Sequence, residues 1–201
     1  MRLGFIADAH GNLLSYRACV KRLWAEGVDE LYFLGDAVGY WPQGIEVLQD
    51  LAEDKIPCIM GNHEAMVLGM LAEDMGKEKI YKLEPIRNAM SAMMRRGLVR
   101  DWPLRREFER DSIRMLLVHG RPADPLQGYC YEEDDLCIEE YGGVDLIVMG
   151  HTHRPFTRWQ ENTAIINAGS CGLPRDRDDM VSCAVYDTRT KSADVLRVPI
   201  N

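Results

Sequence analysis

An α/β fold, built from parallel strands crossed over by helices and completed by antiparallel strands, is what the order of hydrophobic patterns predicts. Three observations carry this. Short apolar runs of strand length alternate with segments of helical period near the start of the chain; each run ends in a polar or glycine-bearing loop; the last third breaks into short strand-like runs joined by turns.

The runs that read as buried strands lie at 3–7, 31–34, 58–60, 113–118 and 146–149. Between the first two, Tyr16, Val20, Leu23 and Trp24 fall on one helical face, with Gly27 placed to stop that helix. Between the second and third, Ile45, Leu48, Leu51 and Ala52 repeat the period. From Glu64 to Arg96 the pattern is helical again, and Pro85 suits a first helical turn. That segment carries Met66, Met70, Met75, Met90, Met93 and Met94, whose flexible thioethers are expected to fill irregular gaps in a core. Residues 107–118 read as a hairpin turning near Asp111 and Ser112. Residues 132–141 read as a short helix, its acidic start favouring the positive helix end. The runs at 156–159, 164–167, 183–187 and 193–198 read as strands, the last two joined by a tight turn over 188–191. No repeat, low-complexity tract or linker divides the 201 residues, so one domain over 1–201 is expected.

Charge narrows the partners. The 32 acidic against 24 basic residues give a net charge of -8, the wrong sign for a surface that grips duplex nucleic acid by counterion release. A small phosphorylated substrate fits better, because bound divalent cations reverse the field locally. The six cysteines, Cys19, Cys58, Cys130, Cys137, Cys171 and Cys183, form no C-x-x-C pair, and the apolar start before Asp8 is too short for a signal peptide. A cytoplasmic location is expected from this. No apolar run approaches the roughly 20 residues of a membrane span. Oligomeric state is left open, a homo-oligomer included.

All five histidines, His10, His63, His119, His151 and His153, stand just beyond an apolar strand-like run. Their loops are Asp8-Ala9-His10, Gly61-Asn62-His63-Glu64, His119-Gly120 and Gly150-His151-Thr152-His153, and Gly35-Asp36 ends another run in the same way. The carboxyl ends of strands in an α/β sheet converge on one crevice, so loops distant in sequence can meet there. Carboxylates, an amide oxygen and imidazoles are donors suited to Mn²⁺, Fe, Zn²⁺ or Co²⁺, and no cysteine joins the set to make a thiolate zinc site.

The order D-x-H, G-D-x-x-G, G-N-H-[DE], lone H and G-H-x-H resembles the calcineurin-like metallophosphoesterase superfamily, and all five blocks are present. Ile166-Asn167-Ala168-Gly169-Ser170 and Pro174-Arg175-Asp176 are similar to the small bacterial and archaeal phosphodiesterase-like members. The resemblance implies a four-layer α/β/β/α sandwich with two mixed sheets. It also implies a dinuclear centre, with one metal on Asp8, His10, Asp36 and His153 and the other on Asp36, Asn62, His119 and His151. Asp36 would then bridge, one carboxylate serving two cations about 3.5–4 Å apart. The ions expected are two divalent metals, Mn²⁺ first, with Fe, Zn²⁺, Ni²⁺ and Co²⁺ as alternatives.

The activity implied is hydrolysis of phosphodiester or dinucleotide polyphosphate bonds through a hydroxide held by the two metals, with His63 protonating the leaving oxygen or, alternatively, holding the Asn62 loop in place. Thr152, between two ligands, should point away. Where the serine/threonine protein phosphatases of the superfamily continue with an Asp-Arg pair, this chain has Gly39 and Tyr40, which weakens that assignment. The compensating phosphate contact would come from Arg121, Arg154 or Arg175. Other readings are a phosphomonoesterase, a protein phosphatase, and an interaction scaffold with a weak metal site, as in a retromer subunit of this fold; the intact donor set argues against the last.

Overall fold

The computed structural model describes residues 1–74, 76–91, 99 and 101–200. Strand β1 (Arg2–Ile6) shows the two-residue alternation of a strand buried on both faces, with Leu3 and Phe5 in one apolar cluster and Ile6 in another. Helix α1 (Leu13–Ala25) starts at Asn12, whose side chain accepts the Ser15 N–H. It stops at Gly27, which takes a left-handed φ of 73° and donates its N–H to the Trp24 carbonyl. Tyr16, Cys19 and Leu23 form its buried face, with Val20 at the margin. Trp24, expected on that face, is 49% exposed. It lies about 80° round the helix from Tyr16 at 3.6 residues per turn, just past the stripe's edge.

The chain crosses to β2 (Glu30–Phe33), parallel to β1, and then to α2 (Gly44–Glu53), where Val47, Leu48 and Leu51 are buried, Ile45 is half-buried and Ala52 is exposed. The strand expected at 58–60 is a single parallel bridge between Phe33 and Cys58. Pro57 has no N–H to extend it, and the Met60 N–H turns to the Pro103 carbonyl.

The helical stretch expected from 64 divides into α3 (Asn62–Val67), α4 (Glu78–Tyr81) and α5 (Leu83–Ala89), the last two separated at Lys82 by a left-handed φ of 54°. Pro85 sits in the first turn of α5, as expected. Met66 and Met90 are core residues, but Met70 is exposed; Met75, Met93, Met94 and Arg96 lie outside the described residues.

Strands β3 (Arg105–Arg110) and β4 (Ile113–Val118) form the expected hairpin, turning on Asp111 and Ser112, both in the left-handed region that two-residue hairpin turns use. With β5 (Leu146–Met149), β6 (Phe156–Gln160) and β7 (Thr163–Asn167) they make a mixed sheet in the order β3-β4-β5-β7-β6. Strands β8 (Met180–Asp187) and β9 (Ser192–Pro199) complete the first sheet, β2-β1-β8-β9, with both of their ladders antiparallel.

Four layers follow from the alternation. Phe5, Tyr32, Leu117, Val148, Ile166 and Tyr186 pack between the sheets, while Val181 and Val185 face outward against Tyr16, Leu23, Leu48 and Leu51. On the far side, Leu116, Val118, Ile147 and Met149 are covered by Cys130, Leu136, Ile138 and Val144. This fourth layer is a loop with one 3₁₀ turn, Ile138–Tyr141, rather than a helix over 132–141. Side chains divert its backbone: the Tyr131 N–H bonds the Asp134 carboxylate and the Leu136 N–H bonds Gln160 Oε1. Among the described residues, no helix is long and apolar enough to cross a membrane.

Candidate metal centre

The loops that follow β1, β2, β4 and β5, together with the start of α3, meet at one end of the paired sheets. Five of the expected ligands, Asp8, His10, Asp36, His151 and His153, have left-handed backbone with φ between 48° and 65°. Non-glycine residues pay a steric cost there, and such strain gathers where the surroundings hold side chains to a task. Close approach demands glycine at Gly61, where an added Cβ would stand 2.1 Å from Asp36 Oδ1.

Two groups of donors share one atom. In the first, His10 Nε2 lies 3.1 Å from His153 Nε2, 3.8 Å from Asp8 Oδ1 and 3.7 Å from Asp36 Oδ2. In the second, His119 Nε2 lies 3.0 Å from Asn62 Oδ1, 3.1 Å from His151 Nδ1 and 3.5 Å from the same Asp36 Oδ2. The other oxygen, Asp36 Oδ1, accepts the His63 N–H at 2.9 Å. The shared contact therefore rests on one carboxylate oxygen and not on two.

The donor chemistry fits cations. His10 and His119 each donate Nδ1–H to a backbone carbonyl, of Val38 and Leu34 respectively, and His153 Nδ1 does the same to Leu173. That fixes the tautomer and turns the Nε2 lone pairs inward. Two lone-pair nitrogens 3.1 Å apart cannot bond each other, and the same conflict joins His119 Nε2 to the Asn62 oxygen. Asp8 repeats it: Oδ2 accepts the His151 N–H at 2.9 Å, while Oδ1 is buried with no hydrogen-bond partner. Cation binding at these donors would resolve the conflicts.

Electrostatics agree. Burial, and then the neighbouring Glu64 and Asp8 carboxylates, push Asp36 well above the usual carboxylate range, the sign of negative charge lacking counter-charge. Burial, followed by the His119 ring, depresses His63 and His151 to about 3. Burial also holds His10 and His119 below the ordinary value, so the imidazoles are in the neutral form that binds metal. Asp8 is raised by burial but carried below its ordinary value by His153, His119 and His151.

His63 stands beside the shared oxygen, its Nε2 3.9 Å from Asp36 Oδ2. Thr152 turns its hydroxyl to the Arg154 carbonyl and the Asn167 amide, away from the donors. The three arginines separate. Arg121 bonds the Asp135 carbonyl, Arg154 lines a neighbouring cavity, and the charge of Arg175 is felt at Tyr40 and at Asp36.

Sequence reasoning missed the roles of several supporting residues. Glu64, fully buried, accepts four backbone N–H groups, from Asp36, Ala37, Val38 and Gly61, and so ties the loop after β2 to the start of α3. Its signal was its place in the Gly61-Asn62-His63-Glu64 block. Ser170 Oγ donates to the Asp8 carbonyl, and Asn167 Nδ2 donates to the Gly150 carbonyl, so the 166–170 stretch braces two ligand loops. Glu64→Ala would leave those four donors without their acceptor. At about 1–3 kcal/mol for each buried group left unsatisfied, a loss of several kcal/mol is expected, with Glu64→Gln intermediate because one acceptor oxygen remains. Thermal melting of the metal-free proteins measures this, and an alanine variant that melts with the wild type would refute the bracing role.

Metal-dependent hydrolysis of a phosphoric ester is the chemistry shared by this fold and this donor set. The chain belongs to the calcineurin-like phosphoesterase superfamily, whose domain matches residues 1–191. It is 25% identical to the uncharacterized protein MJ0912 of Methanocaldococcus jannaschii over 98% of this chain and 86% of that one. It is 35% identical to the symmetrical bis(5'-nucleosyl)-tetraphosphatase of Paracidovorax citrulli over 55% of this chain, a match spanning only 42% of that protein. The crystal structure of a metallophosphoesterase from Sphaerobacter thermophilus superposes with a TM-score of 0.81 at 26% identity, covering all of this chain and 90% of the other.

Proposed function

We propose that the protein cleaves phosphodiester or dinucleotide polyphosphate bonds with two divalent cations, preferentially Mn²⁺. Asp8, His10 and His153 would hold one, Asn62, His119 and His151 the other, and Asp36 both. The observation that carries this is Asp36 Oδ2, which lies 3.7 Å from His10 Nε2 and 3.5 Å from His119 Nε2 and so belongs to both groups. Cations bound there would supply charge against phosphate oxygens and make water a stronger acid. The chain's own part is to orient. Backbone N–H groups lock the non-shared oxygens of Asp8 and Asp36, and His63 presents an imidazole beside the shared one.

Gly39 supports a diester or pyrophosphate substrate. An added Cβ there would stand 2.3 Å from His63 Nδ1, so residue 39 cannot carry a side chain as the backbone lies, and Gly39-Tyr40 stands where an Asp-Arg clamp on a phosphate would be. A monoester dianion gains most from such a clamp. The tetraphosphatase name of the Paracidovorax citrulli relative points the same way. A phosphomonoesterase is the second reading, favoured by the positive charge of Arg175 felt at Asp36. The six free cysteines suit the reducing cytoplasm that belongs to this proposal.

Kinetics of the Mn²⁺-reconstituted protein on bis(p-nitrophenyl) phosphate, p-nitrophenyl phosphate and diadenosine tetraphosphate decide between them. The expected kcat/KM is about tenfold or more higher for the first and third than for the monoester, the size of one charged contact worth ~1.4 kcal/mol. Chelation should abolish all three rates, and Mg²⁺, which prefers oxygen ligands, should restore them poorly. A clear monoester preference would overturn the choice and make Arg175 the clamp.

A further inference from the structure

The loop after β4 carries two tyrosines that lead outward from the metal centre. The Tyr129 ring lies 4.5 Å from the His151 ring, and the Tyr131 ring lies 6.1 Å from Tyr129 with only 13° between their planes. Both are exposed, at 47% and 38%, so this aromatic stack faces solvent and not a core. Tyr131 walls a cavity of about 400 Å³ shared with Arg154, Pro155, Phe156, Glu132 and Glu133. Arg154 directly follows His153, and its guanidinium forms no ion pair among the described residues. Asp176 also borders the cavity but is committed to Arg197.

We propose that this cavity is the nucleoside end of the substrate site, where Tyr131 stacks a nucleobase and Arg154 meets a phosphate between that base and the bond cut at the metals. The assignment rests on the nucleotide substrate proposed above and names the residues that would select it. Charge sets the polarity. Glu132 and Glu133 repel phosphate but accept hydrogen bonds from the exocyclic amino groups of adenine, guanine or cytosine, whereas Arg154 lies on the side that continues into the His151–His153 loop. Size sets the stoichiometry. Small-molecule pockets run from about 300 to 1,000 Å³, so this one, at the lower end, accommodates one nucleoside and leaves the second half of a dinucleotide outside.

Calorimetric titration of the Mn²⁺-loaded protein with adenosine 5'-monophosphate and with ribose 5-phosphate, its base-free twin, isolates the base. Stacking of a base on an aromatic side chain corresponds to roughly 5- to 150-fold in affinity, so the nucleotide should bind tighter than the sugar phosphate by a factor in that range. Tyr131→Leu should bring the two affinities together, and Tyr131→Phe should keep them apart with the wild-type metal content. Equal binding of both probes to the wild type, or a preference that survives in Tyr131→Leu, overturns the subsite. Turnover of diadenosine tetraphosphate is read separately. If the wild type does not cut it, the substrate reading fails while the two titrations still decide whether a base is bound.

Discussion

Asp36→Asn is expected to strip metal from both groups and to lower kcat on the order of a thousandfold or more, beyond the roughly 10–100-fold typical of residues that only orient a ligand. The hydrogen bonds give the reason. Asp36 Oδ1 accepts the His63 N–H at 2.9 Å, a buried bond that an asparagine would keep with its only oxygen. The amide NH₂ would then occupy the place of Oδ2, pointing two donor hydrogens at His10 Nε2 and His119 Nε2, now 3.7 Å and 3.5 Å away. One substitution thus removes a negative charge and inserts a donor where the two proposed cations would need an acceptor. Changing His151 or Asn62 removes a donor from one group only. Elemental analysis should find about two metals in the wild type and markedly fewer in Asp36→Asn. Two tightly held metals with a near-normal rate in the variant would end the proposal that Asp36 bridges.

The candidate ligands were legible in the sequence because each stands where a run of strand-forming residues stops. Asp8, His119 and His151 follow β1, β4 and β5 within two residues, and period-two burial in those strands leaves the loops no freedom to start elsewhere. The same logic placed the hairpin at Asp111 and Ser112. It failed where tertiary partners outweigh local pattern. Residues 132–135 carry the charge of a helix start, yet Asp134 caps the Tyr131 N–H and Arg158 takes the Asp134 carbonyl, leaving no helical ladder to build. The run at 58–60 has the composition of a strand, but only one rung forms because Pro57 lacks a donor and Met60 is drawn to Pro103. The role of Glu64 cannot be read from its motif, since its four N–H donors come from loops that only the folded chain brings together. The Tyr129–Tyr131 stack is equally invisible beforehand: a Tyr-x-Tyr pair in a loop carries no period, and only its contact with His151 gives it direction.

His63→Ala is expected to leave the metals in place while slowing hydrolysis, most for esters with poor leaving groups. Metal retention follows from the backbone, because the N–H that holds Asp36 Oδ1 belongs to residue 63 whatever its side chain. The ring itself makes no hydrogen bond through Nδ1, packs against Tyr40 with ring centres 5.4 Å apart, and keeps Nε2 3.9 Å from the shared Asp36 oxygen. A phosphate drawn into the donor cluster would meet that nitrogen as the departing oxygen gains charge. The imidazole is depressed to about 3 by burial and the His119 ring, which outweigh the opposing pull of Asp8, and Gly39 rather than a carboxylate stands beside Nδ1. Substrate charge must therefore raise it before it can give up a proton, which places its contribution toward the lower part of the roughly 10²–10⁴-fold typical of general acids. A nitrophenolate leaves without that proton, so the variant should be penalised least on nitrophenyl esters and most on alkyl diesters. Rates across a series of leaving groups, with metal content measured on the same samples, test this. A uniform loss throughout the series would instead make His63 a packing residue that holds the Asn62 loop in place.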